Sequence, residues 1–322
     1  MKVFKIDDLR QPVRQQFRKL KLDLRKLTLI AKAMLNPSDI GKAIVITGSG
    51  RSGTTWLAEI LSTAHNCSLM FEPDHPKKCP EAMSSDLRAW KFFDPTAEHT
   101  QLKIFMHQAL AGNVVNDYTA DWADHNLVRL WKTRYWVVKF IFSNNLLPWI
   151  VRHIALERKP IHIYRHPGAI FASWKLLDWM DKEKWKLPDP NQLSQWWTAI
   201  PGLPDYQSVE VSQPSVARYF TLTWVMENYL PLTQSYAGQW RILSYEKLAN
   251  SPETEFRRLF AELNLTPPND LSKRLTTQSR SSWNSSKRRE AATTAWRNEL
   301  TPAEISEIEA VIEVCGLASF FS

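Results

Sequence analysis

Glycine is scarce in this chain, nine of 322 residues, well under half of the roughly 7% found on average. No internal repeat or low-complexity segment is built from it, so any clustering of glycines carries information. Cysteine is scarcer. Cys67, Cys79 and Cys315 are odd in number, widely spaced and outside any C-x-x-C or Cys/His pattern, which argues against a disulfide framework or a zinc site and fits a reducing, cytoplasmic setting. Long apolar runs are missing as well. Without an uninterrupted stretch of 18 apolar residues or a signal-like apolar core, neither a membrane span nor a secretory leader is expected.

What is present is a 44% apolar, 23% charged chain with 15 tryptophans. Its length allows one large or two smaller globular domains, with a core that needs no staple. The formal charge of +8 is concentrated: residues 1 to 35 hold ten Lys/Arg against Asp7, Asp8 and Asp23. The rest is close to neutral, which argues against a general nucleic-acid binder. Within the basic segment Val13, Phe17, Leu20, Leu24, Leu27, Ala31 and Met34 recur at spacings of four and three, one apolar seam along a helix. An anionic membrane surface, an acidic protein partner or a short coiled coil would each use such a helix through residues 9–35; the alternative is a seam packed on the protein's own body.

From Gly41 short apolar strands alternate with helices, the pattern of an α/β fold: a P-loop-type parallel sheet of about five strands with helices on both faces. The strands are expected at 43–47, 68–71, 136–141, 161–164 and 240–243. Helices are expected at 54–64, 167–177, 216–229, 252–263 and 302–315. Residues 178–214, with five prolines, read as a long irregular insertion and a possible acceptor lid. The domain plan is thus a basic helix over 1–40 and one α/β domain over 41–322.

The strand at 43–47 runs into Gly48-Ser49-Gly50-Arg51-Ser52-Gly53-Thr54-Thr55-Trp56, where three of the nine glycines fall in six positions. Bare backbone amides at a helix N-terminus suit a phosphate. Against G-x-x-x-x-G-K-[ST], Gly48 and Gly53 stand correctly, but Thr54 replaces the lysine and a cation appears at Arg51. The strand at 161–164 ends in Arg165-His166-Pro167, a cation where a triphosphate enzyme places a magnesium ligand. A metal-free site with a second anion is the reading; Ser173, eight residues after Arg165, supplies a hydroxyl for it.

These two motifs resemble those of the sulfotransferases that use 3′-phosphoadenosine-5′-phosphosulfate (PAPS). Gly50 to Leu57 is similar to their 5′-phosphosulfate loop, and Arg165 with Ser173 to their 3′-phosphate motif; Leu243-Ser244-Tyr245-Glu246-Lys247-Leu248 before Ser251-Pro252 resembles a third segment, over a total span of about 42–315. The resemblance implies that Gly50, Arg51, Ser52, Gly53, Thr54 and Thr55 hold the phosphosulfate, that Trp56 stacks on adenine from a position off the buried stripe of its helix, and that Tyr245 touches the adenine edge. The late R-K-G motif of small-molecule members is missing; Lys287 and Arg288, within Ser285 to Arg289, stand as its substitute, with a solvated charge run as the alternative.

Lys139 matches the lysine of the cytosolic branch, but Ile141 occupies the position of its histidine base. Another base is needed. Glu72, in the Phe71-Glu72-Pro73 stretch that resembles the carbohydrate branch, is the first candidate, with a structural pairing to Arg51 or Lys139 as the competing use, and His75 is the second. Lys139 and Arg51 would stabilise charge on the leaving phosphate. Sulfuryl transfer consumes no nucleoside triphosphate, so no metal is implied. The expected acceptor is a hydroxyl of a saccharide or glycolipid; a small secondary metabolite, sulfated at oxygen or nitrogen, is the alternative, and Trp174, Trp179, Trp185, Trp196 and Trp197, followed by Tyr206, are its candidate wall. A nucleoside-phosphate kinase and a nucleic-acid module are the remaining readings.

Overall fold

The structure, a computed structural model, describes residues 11–85, 87, 90–177, 189–211, 214–234, 238–277, 279–280 and 291–321. Five short strands form one wholly parallel sheet: β1 (Ile44–Thr47), β2 (Cys67–Phe71), β3 (Tyr135–Lys139), β4 (Ile161–Tyr164) and β5 (Arg241–Ser244), in the order β2-β3-β1-β4-β5. β1, β2 and β4 are buried along their whole length, as parallel strands covered on both faces must be. Their side chains part by alternation. Ala43 and Val45 enter one core with Trp136 and Val138, while Ile44 and Ile46 enter the other with Val137, Ile161 and Ile163.

The expected α/β architecture and all five strands are present, with bounds that shift by one or two residues. The helices that follow the loop and β4 run over Thr54–Leu61 and Pro167–Leu176, and that at 216 extends to Thr233. Between β2 and β3, where the sequence reading places no helix, the described residues form four: Pro80–Ser84, Thr100–Leu110, Asp117–Trp122 and Leu127–Trp131. The described part of the 178–214 stretch is more regular than its prolines suggest. It contains a helix, Pro190–Thr198, with Pro190 near its start where a missing N–H costs nothing, and it sends Leu193, Trp197, Ile200 and Tyr206 into a third core beside the long helix Val216–Thr233.

The N-terminal helix α1 (Gln11–Leu35) turns its apolar seam outward. Leu20 is 55% exposed, Leu27 63% and Met34 77%, while Arg25, Leu29 and Lys32 on the opposite face are buried. The alternative weighed for this segment, a seam packed on the protein's own body, is therefore not the arrangement found. A polar anchor decides the orientation: Arg25 donates to the Asp121 carbonyl at 3.0 Å and lies 2.9 Å from His125 Nδ1. Lys32, buried on the same side, is satisfied within its own segment by the Asn36 carbonyl and Ser38 Oγ, each at 2.9 Å.

β1 lies between β3 and β4, so the chain leaves it towards one side of the sheet and later returns on the other. The C-terminal end of such a strand opens onto a crevice, the usual ligand position of a doubly wound sheet.

Candidate active site

The loop after β1 is fixed by its own backbone. Gly48 lies so close to β4 that a Cβ there would come within 2.3 Å of the Ile163 carbonyl. Ser52 ties the turn from both ends, its N–H and Oγ donating to the Ser49 carbonyl at 3.2 and 2.6 Å. That bond holds the Ser52 amide against the Ser49 carbonyl within the loop. The amides from Gly53 to Thr55 begin α2 (Thr54–Leu61), where N–H groups have no intrahelical acceptor. Gly53 adopts φ 91°, and a Cβ there would collide with the Tyr245 ring at 2.4 Å. Arg51 is itself left-handed, φ 70°, a turn that aims its side chain out of the loop. Gly50 differs: a Cβ would meet nothing within 4 Å, so open space lies before it.

Arg165, at the end of β4, donates from Nη1 to the Arg51 carbonyl at 3.2 Å and lies over the Tyr245 ring at 4.4 Å. Arg51 Nε donates to Ser173 Oγ at 3.2 Å. The two phosphate motifs of the sequence thus meet in one place. Burial, and then the neighbouring Arg165 charge, lower the Arg51 pKa; two guanidiniums forced together are what an anion would relieve. Glu246 sets this edge, accepting from the His166 N–H at 3.0 Å and from Ser244 Oγ at 2.9 Å.

Across the cleft stand Glu72 and Lys139. Glu72 follows β2 directly and its N–H donates to the Lys139 carbonyl at 2.9 Å, so the two side chains leave adjacent strands on the same side. Lys139 Nζ forms a buried ion pair with Glu72 Oε1, and the Tyr118 hydroxyl donates to Oε2. Burial pulls the Lys139 ammonium below its ordinary pKa, and the Glu72 charge opposes that pull. The pairing weighed in the sequence is present, with Lys139 rather than Arg51. His75 lies edge-on to Tyr118 and Phe142 with ring centroids at 5.6 and 5.4 Å, and burial lowers its pKa.

One cleft of about 660 Å³ joins these groups; Gly50, Arg51, Gly53, Thr54, Thr55, Trp56, Glu72, His75, Lys139, Arg165, Ser173 and Tyr245 all line it. Its volume lies within the range of small-ligand sites. Trp56 lines the cleft but is not off the buried stripe: it is 4% exposed and packs edge-on against Phe256 and Tyr245, because every residue of so short a helix except Glu59 is buried. Of the tryptophan cluster, Trp174 lines the cleft, Trp196 packs on Trp90 at 4.9 Å, and Trp197 is core, donating to the Pro204 carbonyl. Trp179, Trp185, Lys287 and Arg288 lie outside the described residues. Among those described, no group of three or more His, Cys, Asp or Glu side chains could hold a metal ion.

Two residues absent from the sequence reading reach the site. Tyr118 gave no local signal. Glu227 did, as the sole acid in the apolar helix Val216–Thr233. It accepts from Ser49 Oγ at 2.5 Å and Trp90 Nε1 at 3.3 Å, and burial pushes its pKa up to about 7. Asn228 extends this network, donating to Ser49 Oγ at 2.8 Å while its Oδ1 lies 3.2 Å from His162 Nε2.

No curated protein matches the chain. Among solved structures it is similar to the sulfotransferase domain from the Synechococcus PCC 7002 olefin synthase, at 17% identity and a TM-score of 0.42 over 84% of this chain and 94% of that one. It is also similar to the sulfotransferase domain from the curacin biosynthetic pathway, at 13% identity and a TM-score of 0.44 over 84% of this chain and 98% of that one. Residues 43–269, a span that includes the Leu243 to Pro252 segment, match the sequence model of the Sulfotransferase family. That match takes in more than half of the chain, the loop and both arginines included, and the protein belongs to the sulfotransferase family.

Proposed function

We propose that the protein moves a sulfuryl group from PAPS to a hydroxyl of a saccharide or glycolipid, with Glu72 as general base. The donor reading rests on one observation, the convergence of Arg51, Arg165 and Ser173 on the cleft that the α2 N-terminus also faces. Two guanidiniums, a hydroxyl and helix amides fit two separate phosphate groups. The open space at Gly50 leaves room for one of them against the backbone. Arg165 and Ser173 would hold the 3′-phosphate, and Arg51 with the amides from Gly53 to Thr55 the 5′-phosphosulfate. Tyr245 and Trp56 would flank the base.

When bound, PAPS supplies an activated sulfur whose bond to the 5′-phosphate oxygen breaks as the acceptor oxygen attacks in line. The chain's own part is proton and charge handling. Glu72 takes the acceptor proton, and Tyr118 and Lys139 orient its carboxylate. Lys139, released from the pair as that proton arrives, is placed to offset charge on the departing phosphate together with Arg51.

For the acceptor, Trp90, Trp174, Phe220 and Trp224 line the cleft beyond the loop. Aromatic faces stack on the apolar faces of sugar rings. The buried Trp224 Nε1 has no hydrogen-bond partner among the described residues, a donor that an acceptor oxygen would satisfy. The test is calorimetric titration with 3′-phosphoadenosine-5′-phosphate, then an acceptor screen that follows release of that nucleotide from PAPS. Arg165→Ala should weaken nucleotide binding about 10- to 100-fold. Undetectable nucleotide binding by the wild type would sink the donor reading. Turnover confined to small metabolites would replace the saccharide with that class.

A further inference from the structure

The outward face of α1 goes beyond the sulfuryl-transfer reading and stands without it. At roughly 100° per residue, Phe17, Leu20, Leu24, Leu27, Ile30 and Met34 share one side of the helix, each between 42% and 77% exposed. Arg25, Leu29 and Lys32 occupy the other side and are buried against the protein, held by the Arg25 contacts with Asp121 and His125. The usual amphipathic arrangement is inverted. A stripe of large apolar side chains runs along the surface while cations fix the helix to the body, and water covers what a surface helix normally buries.

Charge identifies the occupant. Residues 11–35 carry seven Lys/Arg and one acid, Asp23, and Asp23 lies 3.5 Å from Lys26. Lys19 flanks the stripe on one side, next to Lys26, which Asp117 pairs at 2.7 Å, and Arg14 and Lys21 flank it on the other, so cations rim the apolar surface along both edges. A second copy of α1 laid on the stripe would set these rows against each other with little acid to offset them. An anionic bilayer answers both features, since acyl chains take the stripe and headgroup charges the rims. No helix among the described residues is long and apolar enough to cross a membrane, which leaves a position along the surface. We propose that α1 is a membrane-surface helix that docks the protein on anionic lipid, with Phe17 to Met34 at the boundary of headgroups and acyl chains.

The full chain is sedimented with vesicles of phosphatidylcholine alone or mixed with phosphatidylserine. The mixed vesicles should bind it about tenfold or more tightly, with the advantage shrinking as salt rises. Leu20→Asp/Leu27→Asp replaces exposed residues, so its circular dichroism should match the wild type while vesicle binding falls at least about tenfold. Lys19→Glu/Lys21→Glu should lose the preference for phosphatidylserine. Wild type that stays in the supernatant with mixed vesicles overturns the proposal. So does a wild-type dimer that Leu20→Asp/Leu27→Asp converts to monomer with vesicle binding unchanged, which would assign the stripe to self-association. None of these readouts involves sulfuryl transfer, so a failed donor reading and a failed docking reading are told apart.

Discussion

Glu72 and Lys139 are 67 positions apart in the chain, yet they leave the C-terminal edges of adjacent parallel strands and close into a buried ion pair, with the Tyr118 hydroxyl on the second carboxylate oxygen. If Glu72 is the base, Glu72→Gln keeps the shape and one of the two accepted hydrogen bonds but cannot take a proton. Turnover should fall at least about 100-fold, while affinity for 3′-phosphoadenosine-5′-phosphate stays within about threefold. Steady-state rates and titration calorimetry check the two halves, and a near-normal rate would remove Glu72 from the mechanism.

The same pair predicts a stability asymmetry. Lys139 is 1% exposed, and Lys139→Met leaves the Glu72 carboxylate buried without its cation. Urea unfolding should show a loss of about 3–5 kcal/mol. Adding Glu72→Gln should restore part of it, with a coupling of about 1–3 kcal/mol. Additive losses would mean that the pair is solvated in solution.

Two glycines of the loop should behave oppositely. Gly53→Ala forces a Cβ at φ 91° into the Tyr245 ring and should cost about 1–3 kcal/mol of stability. Gly50→Ala meets nothing within 4 Å and should leave the melting temperature almost unchanged. Any loss of nucleotide affinity in Gly50→Ala then reports on the ligand itself. Equal melting temperatures for the two variants would contradict the loop geometry.

Glu227 gives a pH signature. Its folded pKa of about 7 lies above the ordinary carboxyl value because the group is buried, so its proton stabilises the fold below pH 4 to 5 and that contribution is lost as pH rises through 7. Asp74, buried and also near 7, acts in the same direction; His162 and His166, which burial holds near 3, act oppositely. The difference between Glu227→Gln and wild type isolates the one group. The variant should gain about 1–3 kcal/mol relative to wild type between pH 5 and pH 8, read from denaturant midpoints at each pH. A difference that does not move with pH would place Glu227 in contact with water.

What could be read in the chain was what is encoded locally. Alternation of short apolar strands with helices, glycines packed into 48–53 and a cation at the end of a strand fixed the sheet, the loop and the place of Arg165, because each depends on residues within a few positions of one another. Three of the four described helices between 80 and 131 have only five or six residues, too few turns to show a helical period. Trp197 looked like part of an acceptor wall, and the third core claimed it.

Local sequence carries the parallel α/β sheet, a glycine-rich loop followed by a second cation, and an apolar seam on a basic helix. Tertiary structure decided which groups meet. It brought Tyr118 to Glu72 and Glu227 to Ser49 across 46 and 178 positions, contacts that depend on how crossovers return the chain to the sheet rather than on any spacing along it. It also decided which way α1 faces. The seam was plain in its periodicity, but periodicity is symmetric between inward and outward. Arg25 settled the choice, because its contacts with the Asp121 carbonyl and His125 can form only with that side of the helix turned in.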